Sequence, residues 1–136
     1  MDFANMPAGR EMDALIAEKV MGFRREKTPP DYNGEYGGED ILVPISIDHE
    51  NFIYPPKGKI ALTYFVPNYS TDIATAWSVA EKMHSLSVYR ENNQWWSWFF
   101  DGYNDDKIIY GKASADTAPE AICRAALMAV GSVNNR

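Results

Sequence analysis

Between residues 8 and 23 the apolar positions Met12, Leu15, Ile16, Val20 and Phe23 recur at three- and four-residue steps, while Glu11, Asp13, Glu18 and Lys19 fall elsewhere. That spacing predicts an amphipathic helix, with Pro7 suited to its start and Gly22 weakening its end. The period then breaks. "KTPPDYNGEYGGED" (27–40) holds prolines, Asn33-Gly34 and Gly37-Gly38, the makings of irregular chain or a tight hairpin. Two β-branched and aromatic runs follow, "ILVPISI" and "KIALTYFV", and they predict strands within 41–66. Pro44 would hold the first of them at an edge or a bulge, because proline donates no ladder hydrogen bond.

At "VPNYSTDIATAWSV" (66–79) helical spacing returns. Pro67 stops the strand, Ser70 or Thr71 offers a capping oxygen, and Asp72 sets a negative charge at the positive end of the helix dipole. The predicted buried stripe is Ile73, Ala76, Trp77, Ala80 and Met83, with Trp77 locking the helix onto what lies beneath. "LSVYR", "QWWSWFF" and "KIIYGKA" are then three strand-like runs joined by "ENN" and "DGYNDD", which predicts an antiparallel meander. In the middle run Trp96, Trp98 and Phe100 alternate with Trp95 and Phe99, so both faces are apolar and both are expected to be covered. "DTAPEAICRAALMAV" opens a last helix with Thr117 and Glu120 at capping-box spacing, Pro119 in its first turn and Gly131 at its end. Its face of Ile122, Ala125, Ala126, Ala129, Val130 and Val133 is rich in alanine and allows close approach. The order is helix, two strands, helix, three strands, helix, which predicts an α+β fold with a largely antiparallel sheet between helical layers.

Length and charge narrow the partners. A chain of 136 residues builds one domain with one core. Its net charge of −6 argues against a general grip on nucleic-acid phosphates, and no apolar run reaches membrane-spanning length. The densest cationic group, Arg24, Arg25 and Lys27, reads as complementing the end of the first helix. A single cysteine, Cys123, excludes an intrachain disulfide and fits a reducing compartment, so a cytosolic protein is expected.

The usual catalytic groups do not assemble in the pattern. His49 in "DHE" has no partner at metal-site spacing, His84 follows a helix, and Cys123 lies beside core positions, so neither a metal site nor a cofactor is expected. "GGED" lacks the strand-to-helix context of a phosphate loop, and Asp105 and Asp106 sit in a turn. What stands out is the aromatic content, with four Trp and eight Tyr, interleaved with arginines. Aromatic faces stack on bases and guanidinium groups fork onto phosphates. Arg124, Arg90, Trp96, Trp98, Tyr69 and Tyr103 are therefore the candidate ligand-binding residues, with core and interface roles as the competing explanation. For Arg124 that competing role is pairing with Asp116 or Glu120 to hold the helix cap.

Three stretches, "REMDALIAEKVMGF", "PNYSTDIATAWSVAEKM" and "ADTAPEAICRAALMAVG", about a third of the chain, resemble the phage ABA sandwich domain family in wording and spacing. The resemblance implies an alpha-beta-alpha sandwich in a small phage or prophage protein. The departure lies between Gly22 and Pro67, where the segment at 28–66 is elaborated. The expected function is non-enzymatic: a homo-oligomer in the host cytoplasm that counters antiviral defence by sequestering a small nucleotide-type signal. The alternatives are a module that inhibits a host protein through its acidic surface and a nucleotide-degrading enzyme.

Overall fold

The computed structural model describes residues 3–27, 40–45, 62–83, 85–101 and 108–134. A short 3-10 helix, Phe3–Asn5, precedes α1 (Arg10–Lys19), β1 (Arg24–Lys27), β2 (Asp40–Val43), α2 (Ile73–Lys82), β3 (Ser85–Glu91), β4 (Gln94–Asp101), β5 (Ile108–Ala115) and α3 (Ala118–Asn134). The strands form two antiparallel sheets, β1-β2 and β3-β4-β5, in an α+β fold as the pattern predicts. The meander is confirmed in register, with Tyr89 opposite Trp96 and Trp96 opposite Ser114. Asn92 and Asn93 make the β3–β4 turn with φ of 54° and 62°, a conformation asparagine tolerates and most residues avoid.

α3 is the centre of the molecule. Ala121, Ile122, Cys123, Ala125, Ala126, Leu127 and Ala129 are buried, because α3 lies on β4 and β5 and packs against α1 and α2 as well. Its alanines bring the helix backbone onto the sheet: a Cβ added at Gly111 would stand 2.1 Å from the Ala125 carbonyl oxygen. The face of β4 and β5 that α3 covers carries Ser97, Phe99, Ala113 and Ala115, all buried. The opposite face carries Tyr89, Trp96, Trp98 and Phe100, which are only half-buried. Both faces of β4 were expected to be covered. Among the described elements only the inner one is, because the three helices are gathered around α3.

Several boundaries differ from the pattern. α1 ends at Lys19, a turn early: Met21 N–H reaches the Ile16 carbonyl and Gly22 takes φ 80°. α3 runs on past Gly131, so that glycine does not end it. Arg24, Arg25 and Lys27, read as trailing a helix, form β1; Arg25 bonds Glu18 and Lys27 bonds Asp40. β2 stops just before Pro44, and residues 62–65 are turn where a strand was expected. Most of the elaborated 28–66 segment lies outside the described residues.

The cap of α2 is Asp72, whose carboxylate accepts from the Thr75 amide at 3.0 Å. Ser70 does something else. It is buried, and its amide and hydroxyl both donate to Asp13 Oδ1, at 2.8 and 2.7 Å. Arg10 completes this network, donating to Asp13, to Asn68 and to the carbonyls of Thr63 and Val66. Three donors on the Asp13 carboxylate offset the cost of burying its charge, and the network fixes residues 63–70 against α1.

The expectation that Trp77 is buried is corrected: it is 50% exposed and Ile73 47%, while Ala76 and Val79 are fully buried. The helical period had two overlapping stripes to choose from. Ala76 and Val79 are small enough for α2 to approach α3 closely, which turns Trp77 towards the rim.

Candidate functional site

On the outer face of the sheet the alternation of β5 places Lys112 and Ser114 side by side, with Asp116 in the bend just after the strand, and that of β4 places Gln94, Trp96 and Trp98 beside them. Lys112, Ser114, Asp116, Gln94 and Trp96, with Asn5, Glu120 and Arg124 at the back, line an open cleft of about 380 Å³. At one end Gln94 Nε2 donates to Asp116 Oδ1 at 2.9 Å. In the middle Ser114 faces Trp96 across the ladder. At the other end the Lys112 ammonium lies 5.5 Å from the Trp96 ring centre and 5.1 Å from that of Trp98. Tyr89 stacks on Trp96, with centroids 6.5 Å apart and planes 10° from parallel, and so sets the angle of the indole. The cleft thus offers, in order, an acceptor pair, an aromatic surface and a cation.

Arg124 and Trp96, both named among the candidates from the sequence, line this same cleft. The guanidinium of Arg124 is committed inside the fold. It donates to the Ser114 carbonyl at 2.6 Å, the Met6 carbonyl at 2.7 Å and Glu120 Oε1 at 2.7 Å, and its side chain is 13% exposed. Glu120 in turn accepts from the Ala8 amide at 3.1 Å, so the pair ties the N-terminal segment, β5 and α3 together. This is the helix-holding role weighed against ligand binding, extended to two other segments.

Trp98 stands beside Trp96 on the outer face, with its ring edge-on to Tyr89 and to Phe100. Arg90 is exposed and pairs with Trp95, which places it on the other face of the sheet. Tyr69 is 3% exposed and belongs to the core. Burial first, then the Cys123 and Asp13 side chains, push its phenol up to about 12. Burial likewise pushes the Cys123 thiol up, which makes it a poor nucleophile and agrees with its reading as a small hydrophobe. Tyr103, His49, His84, Asp105 and Asp106 lie outside the described residues. Lys112, Gln94 and Asp116 were missed as a group. The signal for them was present in "KASAD", where polar residues at 112, 114 and 116 alternate with alanine.

A second cleft, of about 540 Å³, opens on the inner side between α2, the sheet and the start of α3. Its lining is apolar: Ile73, Trp77, Val88, Trp95 and Ile122, with Asp116 and Thr117 at the lip. The Asp116–Thr117 turn is therefore the ridge between the two clefts.

Among the described residues no helix is long and apolar enough to cross a membrane. Residues 14–127 match the phage ABA sandwich domain family, and with that much of its 136 residues covered the chain belongs to it. No curated protein and no solved structure matches.

Proposed function

We propose that this phage-family protein is a non-enzymatic binder that sequesters a small nucleotide-type molecule in the host cytoplasm and so blunts an antiviral signal. One observation carries the reading: Trp96 forms the wall of a cleft of nucleotide size, between the Lys112 cation and the Asp116 and Gln94 pair. An indole gives a base a stacking surface in an acidic protein, and Lys112 supplies positive charge where a phosphate needs it. Committing Arg124 to the fold moves the phosphate-binding role to Lys112.

Calorimetric titration with mononucleotides, followed by denaturation and chromatography of the released ligand, tests this reading. Saturable binding with intact ligand recovered is the expected result. Converted ligand would make the protein an enzyme, and absence of binding by a folded sample would remove the proposal. Trp96→Ala is expected to weaken binding by at least about tenfold.

A second reading, a module that inhibits a host protein, is favoured by the exposed Ile73 and Trp77 beside the apolar cleft. Large apolar side chains at half exposure mark interaction sites more often than they mark chance. Under this reading no nucleotide binds, and Trp77→Ser abolishes the protein's effect in infected cells while the variant, with a lowered melting temperature, stays folded at the assay temperature.

A further inference from the structure

We infer that the outer cleft selects a guanine base carrying a single phosphate group, an inference that rests on the nucleotide reading above. The argument is the order of chemical groups along the cleft and the space between them. Asp116, in the bend just after β5, is four residues from Lys112, a span of at most about 13 Å, which is the scale of a nucleoside monophosphate laid flat from base edge to phosphate, and both line the cleft. Trp96 lies between them on the neighbouring strand, where the plane of the base would rest.

The end that meets the base edge is built of acceptors. The Asp116 carboxylate has two oxygens and about four lone-pair sites, of which one receives the Gln94 amide. Gln94, having turned one N–H to Asp116, keeps its carbonyl oxygen and one further N–H. A carboxylate flanked by a carbonyl matches an edge with adjacent donors. Guanine has one, its ring N–H beside its amino group, and can donate two parallel hydrogen bonds to one carboxylate. Adenine and cytosine offer one amino group next to a ring nitrogen whose lone pair would face the second carboxylate oxygen. Uracil and thymine offer one N–H between two carbonyls, both repelled by the anion.

The far end sets the charge. Among the described residues Lys112 is the cation of the cleft whose ammonium lies over the indoles, while the Arg124 guanidinium at the back is held by Glu120, Ser114 and Met6. One cation on a chain of net charge −6 suits one phosphate or a phosphodiester and disfavours a triphosphate.

The test is calorimetric titration of the full chain with GMP, IMP, AMP, UMP, GTP and guanosine. GMP is expected to bind at least about tenfold more tightly than AMP or UMP, with IMP, which lacks the amino group, between them. GMP should also bind more tightly than GTP or guanosine. Asp116→Asn should lose at least about tenfold for GMP and little for AMP, and Lys112→Met should reduce GMP to the affinity of guanosine. Both residues are exposed, and unchanged melting and circular dichroism certify that each variant is folded. Equal binding of AMP and GMP, or an Asp116→Asn variant that still prefers GMP, overturns the guanine inference while nucleotide binding stands. Binding of none of the six by folded protein overturns the nucleotide reading itself and the inference with it.

Discussion

The two faces of the β3-β4-β5 sheet are made from the same strands by alternate residues, and they have opposite chemistry. The inner face pairs Phe99 with Gly111, Ala113, Ala115 and Ser97, and α3 sits on it so closely that its backbone touches the strand at Gly111. The outer face bears Tyr89, Trp96, Trp98 and Lys112, with Tyr89 stacked on Trp96 and edge-on to Trp98, large groups partly open to water. The difference teaches that the largest aromatic residues here are not the core. Small residues let the elements approach, and Trp96 and Trp98 are displaced to the outer surface while Phe99 stays in the core.

Four substitutions and one pH experiment press on that contrast, and the inner face should give the largest effect. Gly111→Ala places a methyl group against the α3 backbone, which has no room to yield, and should destabilise the protein by about 3 kcal/mol in a denaturant titration. A variant as stable as the parent would mean that α3 does not rest on β5 as described. Arg124→Ala comes next. It leaves Glu120 beneath the N-terminal segment without its cation and frees two carbonyls, at a cost of about 2–3 kcal/mol, so a loss of ligand binding in this variant would be secondary to loss of fold.

Trp77→Ala should cost about 1–2 kcal/mol, well below the value for a fully buried tryptophan, because half the side chain is already in water. Trp96→Ala should cost a comparable amount, about 2 kcal/mol, from lost burial together with its stacking on Tyr89, while removing most ligand affinity. Were Trp96→Ala to unfold the protein, the outer face would be core and the two faces alike. Alkali tests the core directly. With the Tyr69 phenol held at about 12 against an ordinary 10.0 and the Cys123 thiol pushed up from 9.0, the unfolded chain releases both protons first as pH rises. Stability should therefore fall from about pH 9, with the Tyr69 share lost between 10 and 12, and Tyr69→Phe should remove that share. An unchanged slope would mean that the phenol is solvated.

Much of the architecture was legible in local pattern. The meander follows from three strand-like runs joined by turn residues, and Asn92-Asn93 takes the backbone form that such short links need. The start of α3 was equally clear: the Thr117 hydroxyl accepts from the Glu120 amide at 3.4 Å, as the capping spacing requires. The Glu120 carboxylate instead turns to Arg124 and Ala8, a choice made by segments far away in sequence. β1 was missed because four residues of alternating charge, "RREK", carry no apolar signal; it exists through pairing with β2, whose Ile41, Leu42 and Val43 are buried.

What the sequence by itself determined is therefore what short-range physics governs: periodicity, caps, turns and the alternation that puts residues 112 and 114 on one face. The family membership was readable for the same reason, since it is carried by continuous stretches. Tertiary structure alone decided which of two apolar stripes of α2 turns inward, which face of β4 is covered, and whether an arginine is available or engaged. Each is a competition between surfaces that all have similar transfer energies. Close packing settles such a competition, favouring Ala76 and Val79 over Trp77 and Gly111 over any larger residue.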